Sequence, residues 1–315
     1  MSLVIFDTAL QQGLLYAIAV FGVVITFRLM NFPDLTVDGS FTLGAAVAAT
    51  SLISGYSAGI SIIYSFAAGF LAGVTTALLV RKFGISKILS GILVMLILYS
   101  VNLRIMGRAN ISLLRTDTLF TPFENLGHTA FILFISSLTA VILLLLLYFS
   151  ITKLGLFIRA TGDNEFMVNS QGVNTDWVFI FGVGLSNALI AISGALVAQS
   201  QGFADIGMGI GMIIIMLAAL IVGESFVAIV QSVFRGLFKQ NAVQKQGKVQ
   251  MPWEVFNLFF AAVSGAFLYF LIIAICLQLG LAPTDLRLAT GLLVIVGISM
   301  RFKKTTSETY QRSRF

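Results

Sequence analysis

The chain has 315 residues, 58% of them hydrophobic and only 10% charged, with a formal net charge of +6 at neutral pH. Soluble domains carry about 25% charged residues, and no soluble fold of this length hides so much apolar surface, so a water-soluble protein is excluded. A single histidine and a single cysteine exclude an intrachain disulfide and a cysteine-based metal site, and leave triad chemistry only His128 to work with.

In chain order, uncharged stretches separated by polar clusters predict about nine spans, near residues 8–27, 40–55, 59–80, 88–103, 129–150, 177–198, 208–227, 255–278 and 288–300. The run from Thr129 to Ser150 reaches about 33 Å as a helix, close to a hydrocarbon core of about 30 Å. The first stretch has no basic residues before it and no small-residue cleavage site after it, so it reads as a retained span. The expected fold class is therefore an all-α integral membrane protein, a polytopic helical bundle forming one transmembrane domain over residues 1–315. Placing residues 151–176 in the cytoplasm puts fifteen of the 19 Lys and Arg inside. Only Arg104, Arg108, Arg115 and Arg287 are then left outside, which satisfies the positive-inside rule. That orientation puts the N-terminus outside and explains the net charge through contact with anionic membrane lipid, with no call for nucleic acid.

The segment PDLTVDGSFTLGAA at 33–46, with Asp34 and Asp38, leads directly into a span. ADIGMGIGM at 204–212, with Asp205, Met208, Gly209 and Gly211, does the same further on. Each is followed by similar blocks in the same order, FAAGFLAG, ALLVRKFG and GILVML in one half and FAAVSGA, AICLQLG and GLLVIV in the other. The expectation is an inverted repeat with halves at about 31–128 and 200–300, the device by which many transporters build a pathway gated from both sides. Acids next to a span are candidates for the pathway or its gates, with helix capping at the span entrances as the competing role. The glycines around Gly209 sit ahead of an apolar span and no GxxxxGK[ST] occurs in the sequence, so they fit close packing or a broken helix and not a phosphate loop. Ser186 and Asn187, inside an apolar span, read as partners for interhelical hydrogen bonds. The outer stretch 104–124, with three arginines against the charge trend, is a candidate docking surface for a binding protein or a plain solvated loop.

Residues 153–177, KLGLFIRATGDNEFMVNSQGVNTDW, are too polar to span and too patterned for a linker. Gly155 and Gly162 flank a short basic stretch with Arg159. Thr161, Asp163 or Asn164 is placed to cap a short helix starting near Glu165, Gly172 to close it, and Thr175 or Asp176 to cap the next span. A short ordered helix between spans is what a cytoplasmic motor would push against.

GLFIRATGDNEFMVNSQGVNTD resembles the cytoplasmic coupling segment of ATP-binding cassette importer permeases of the branched-chain amino acid and ribose type. NFPDLTVDGSFTLGAAVAA, which begins at Asn31 and Phe32, together with GRANISLL, GFADIGMGIG, LAALIVGE and GLAPTDLRLATGLLV, resembles the subgroup associated with tryptophan and tyrosine uptake. The resemblance covers nearly the whole chain and departs from the family at Val168, Asn169 and Ser170 and in the longer, more polar stretch 237–251. It implies the type II importer fold and a complex of two permease copies, a homodimer here, with two cytoplasmic ATPases and an external solute-binding protein. It implies a bacterial inner-membrane location and no enzyme activity in this chain, which holds no cofactor, ATP and Mg being bound by the ATPase. The rival readings are an ion-coupled secondary transporter or channel, which calls for charged pairs in mid-span, and a lipid enzyme, which calls for clustered catalytic groups at one interface.

Overall fold

The computed structural model describes residues 2–124, 127–237, 251–280, 285, 288, 290 and 291. Among them, seven helices are long and apolar enough to cross a membrane. These match seven of the expected spans; an eighth is present as a shorter helix, and the ninth, at 288–300, falls almost wholly outside the described residues. The stretch 238–250 and most of the final repeat block also lie outside them.

The chain begins with α1 (Ser2–Val23), whose last turns widen into a π-helix over Val24–Leu29. After a non-helical stretch come α2 (Val37–Ile53), α3 (Ala58–Arg81) and α4 (Lys87–Met106). A three-residue strand β1 (Asn110–Ser112) precedes the short α5 (Thr121–Glu124) and the long α6 (His128–Ile151). Two short helices, α7 (Lys153–Asp163) and α8 (Glu165–Ser170), then lead into α9 (Thr175–Gln201). Strand β2 (Phe203–Asp205), α10 (Met212–Leu237) and α11 (Met251–Gln278) complete the described chain. The antiparallel β1–β2 pair sets Ile111 opposite Ala204, a small departure from the expected all-α composition.

Two compact units emerge. The larger, residues 14–213, is built around α9, which packs along α2 and α3. Its helices approach to backbone contact because glycines face each other's main chain. A Cβ on Gly44 would overlap the Ala191 carbonyl, one on Gly194 the Phe41 carbonyl and one on Gly73 the Val183 carbonyl. Without a hydrophobic effect between helices in lipid, close backbone packing of this kind is what holds them. The apolar window of α9 is 78% buried, that of the leucine-rich α6 only 22%, which separates a central helix from one suited to face lipid. The smaller unit, residues 1–13 with 214 onward, repeats the device between α10 and α11, where Gly223 meets the Ala261 carbonyl and Gly265 the Ala219 carbonyl. Phe6 stacks edge-on against Phe267 at 5.3 Å within it.

Candidate functional site

The site grows from a break in the helical backbone. The π-helix hands over at Met30, whose N–H donates to the Ile25 carbonyl at 3.0 Å. Asn31 follows with φ +54, the one non-glycine residue with positive φ among those described. Residues 32–35 then run without helical structure, because Pro33 supplies no backbone donor and its ring drives Phe32 away from helical geometry. This stretch leads directly into α2, whose 17 residues reach only about 25 Å. In apolar surroundings non-helical backbone is tolerated only where protein encloses it, and Phe32, Asp34 and Thr36 are fully buried.

Asp34 anchors the non-helical stretch. Its Oδ1 accepts the Thr36 N–H at 2.8 Å, and its Oδ2 accepts from Asn187 Nδ2 of α9 at 2.7 Å. Ser40 Oγ donates to Asn187 Oδ1 at 2.7 Å, Asn187 Nδ2 also reaches the Val183 carbonyl, and the hydroxyls of Thr36 and Thr76 pair at 2.7 Å. Asp34 thus closes a turn at the entrance of α2 and ties it to the middle of α9. Ser186, the neighbour of Asn187, donates to the Gly22 carbonyl at 2.7 Å. Both residues make the interhelical bonds read from the sequence.

Asp38 does something the sequence did not suggest. Its Oδ2 accepts from Gly211 N–H and its Oδ1 from Ile213 N–H, both at 2.8 Å, so it caps the start of α10 instead of its own helix. Carboxylates favour such a position because the first N–H groups of a helix are unpaired and carry the positive end of its dipole. Gly209 is indispensable there, since a Cβ would overlap the Asp38 carbonyl and Thr42 Oγ1. Gly39 packs against Met95 and Leu98, in the middle of α4. The two acidic, glycine-bearing segments that the sequence sets out as counterparts therefore meet, Asp38 of the first holding Gly209 to Ile213 of the second. Asp205 stays apart from this contact. It turns its own loop by accepting Gly207 N–H at 2.8 Å and reaches Asn110 at 3.3 Å. Met208 packs against a buried cluster that includes Ala45, Met106 and Ile111.

The polar segment 153–176 is more structured than expected. Residues 153–163 are a helix, capped by Thr152, that buries Gly155, Ile158 and Thr161 along one face. Asn164 is the residue that caps α8, its Oδ1 accepting the Met167 N–H at 3.1 Å, which settles the choice among Thr161, Asp163 and Asn164. Gly172 closes α8 at φ +80. The next span is capped by Asn174, which accepts the N–H groups of Asp176 and Trp177, and not by Thr175 or Asp176. An asparagine one residue earlier carries the same acceptor and fits the non-helical cap geometry better. Arg159 is half-buried within α7.

Two contacts fix this segment to the bundle. Gly162 lies against the Leu29 carbonyl and Met30 Cα, where any Cβ would overlap. Arg81, at the end of α3, donates to Glu165, pairs with Asp176 at 3.5 Å, and lies 4.2 Å over the Phe179 ring. The Arg81 hydrogen bond holds the Glu165 carboxyl below its ordinary value, against a smaller opposing effect of burial. Sequence reasoning left Arg81 among the basic loop residues; its position at the end of a span, level with an acid-bearing segment, was the available signal. Beyond these anchors Phe166 and Met167 are 87% and 61% exposed, apolar side chains standing out from an otherwise polar segment. Val168 is buried, whereas Asn169 and Ser170 are exposed.

On the side of β1 and β2, Gln199 of α9 accepts the Leu119 N–H at 2.9 Å and donates to Ser61, so the stretch after α4 is tied down. Leu114, 85% exposed, projects from it between the exposed Arg108 and Arg115. Among the described residues no group of His, Cys, Asp and Glu is placed to hold a metal ion.

The family model described as branched-chain amino acid transport system, permease component, matches residues 5–277. The chain is 35% identical over 306 residues to a tyrosine transport system permease protein of Clostridioides difficile, covering 96% of this chain and 94% of that one. It is 27% identical to a probable branched-chain amino acid transport permease of Methanocaldococcus jannaschii, over 70% of this chain and 73% of that one. It is 25% identical to the galactofuranose transporter permease of Escherichia coli, over 55% and 50% respectively. No solved structure matches.

Proposed function

The chain belongs to the permease family of branched-chain amino acid transport systems, and on that premise we propose that it moves an amino acid, an aromatic one above all, into the cytoplasm. As such a permease it is a multi-pass protein of the bacterial inner membrane, a component of an ATP-binding cassette system that works with ATPase and substrate-binding partners. The tyrosine assignment of the Clostridioides difficile relative supports the aromatic substrate.

The observation that carries the mechanism is the anchored pair α7–α8, held by Gly162 and Arg81, with Phe166 and Met167 presented outward. In this reading each of two identical permease copies offers that face to a cytoplasmic ATPase, which holds ATP and Mg. This chain makes and breaks no covalent bond and holds no cofactor. ATP favours one packing of the motor pair, and rigid coupling helices pass that preference to the gates. Displacement of Gly162 moves Met30 and Asn31, and with them the non-helical stretch leading to Asp34 and Asp38. Asp38 then bears on Gly209 to Ile213, the counterpart segment of the inverted repeat, as the gate. The exposed arginines around Leu114 receive the binding protein, and inner-leaflet anionic lipid meets the basic residues of the opposite side.

The test is reconstitution in liposomes with the partner ATPase and binding protein, following tyrosine uptake. ATP-dependent uptake that survives an ionophore is expected. Collapse of uptake on dissipating ion gradients at constant ATP would overturn the reading in favour of ion-coupled transport. Asp38→Ala is expected to lower uptake at least tenfold while hydrolysis continues.

A further inference from the structure

A cavity of about 290 Å³ lies between the coupling helices and the adjoining helix ends, and it is lined from several sides. Met30 and Asn31 come from the end of the π-helix, Arg81 from α3, Lys87 from the first turn of α4, and Thr161 to Phe166 from α7 and α8, with Phe179 of α9 beside them. Two of its polar atoms have unspent hydrogen-bonding capacity. Thr161 is 8% exposed and its Oγ1 has no partner, and neither does Arg81 Nε, although the same guanidinium is bonded to Glu165 through Nη1. Buried polar groups are almost always paired, so an unpartnered hydroxyl and an unpartnered N–H lining one cavity describe a site for a ligand with an acceptor.

The charges narrow its chemistry. The lining holds two cations, Arg81 and Lys87, and two carboxylates, Asp163 and Glu165. A bare anion would be repelled by the carboxylates and a bare cation by the ammonium and guanidinium, whereas a molecule carrying both charges is matched by both. Met30 and Phe179 are nearly fully buried and offer an apolar wall to a side chain.

We propose that this cavity binds a free zwitterionic amino acid from the cytoplasm, its carboxylate received by Arg81 Nε, Lys87 and Thr161 Oγ1 and its ammonium facing Asp163 and Glu165. The proposal rests on the import reading above, because it makes the site a sensor of imported product at the joint between α7 and Met30. Occupancy bridges α3, α4 and α7 and so stiffens the segment on which the ATPase acts, slowing import as cytoplasmic amino acid accumulates.

The experiment measures equilibrium binding of radiolabelled tyrosine to the full chain in neutral-lipid nanodiscs, without its partners. Saturable binding is expected, weakened at least tenfold by Lys87→Gln and by Thr161→Val, and unchanged by Lys82→Gln, which alters an exposed neighbouring charge outside the cavity. Tyramine, lacking the carboxylate, and N-acetyltyrosine, lacking the ammonium, are expected to compete at least tenfold more weakly than tyrosine. Binding indifferent to both cavity variants overturns the proposal, as does full displacement by inorganic phosphate, which would mark a plain anion site. A chain whose Lys87→Gln or Thr161→Val form does not run as a monodisperse particle is replaced by Lys87→Met or Thr161→Ser respectively, the first expected to lose binding and the second to keep it. Uptake by the wild-type complex, measured separately, reports on the import reading whichever way the binding result falls.

Discussion

Thr76 and Arg81 lie about one and a half turns apart on α3, yet they belong to polar constellations of opposite kinds. Thr76 is fully buried and closes the network in which Asp34 and Asn187 are joined across the bundle. Arg81 is 19% exposed and its acid partners Glu165 and Asp176 are 38% and 59% exposed. In the first network water cannot replace a lost partner, so each bond is obligatory. In the second, solvent competes for every charge, so the ion pair orients the 153–176 segment without contributing much stability. The same chemistry therefore acts as a buried anchor at one level and as a solvent-exposed clasp at the other, and the stretch 30–38 runs between them.

The largest effect is expected at the anchor. Asn187→Leu removes the donor to Asp34 Oδ2 and the acceptor of Ser40, leaving two buried polar groups each short of a partner at a cost of about 1–3 kcal/mol apiece. Thermal unfolding in detergent should show a loss of many degrees or no folded protein. A shift as small as that of Glu165→Gln would break the contrast.

Next comes the contact between the two levels. Gly162→Val sets a side chain into the Leu29 carbonyl and is expected to cut ATP-driven uptake about tenfold, equivalent to about 1.4 kcal/mol of coupling, while hydrolysis by the ATPase persists. Equal loss of both activities would show that Gly162 serves folding alone.

Asn31 tests the joint itself. A β-branched residue at its left-handed φ is strained by about 1–3 kcal/mol, so Asn31→Val should destabilise the chain and impair uptake. Asn31→Gly, free of that strain, should do neither.

The smallest effect belongs to the wet pair. Glu165→Gln should cost at most about 1 kcal/mol and become indistinguishable from wild type in high salt. Because the folded-state pKa of Glu165 is lowered, its contribution is present above the ordinary carboxylate value and is lost as pH falls through the lowered one. Limited proteolysis of the 153–176 segment should accordingly be unchanged from pH 8 to pH 6 and accelerate only in acid.

Much of this architecture was legible. Helix 129–150 and its neighbours follow from apolar length, and the capped segment around Gly162 and Gly172 from turn chemistry. The acidic, glycine-bearing stretches at 33–46 and 204–212 stood out because charge next to a span is costly. The eleven residues of α7 went unread as a helix because Gly155 and Gly162 look like breakers, and only packing against Ser150 and Leu29 explains why they suit a helix there.

What the sequence determined by itself is that this protein lives in a membrane, where its long apolar helices lie, and which short polar segments interrupt them. Hydropathy and local caps are properties of neighbouring residues, so they survive without a fold. Which partner each interruption finds was decided only in three dimensions. Asp38 meets the N–H groups of Gly211 and Ile213, more than 170 positions along the chain, because glycine-lined helices bring distant backbones within bonding reach. No local pattern encodes that meeting, and the proposed gate depends on it.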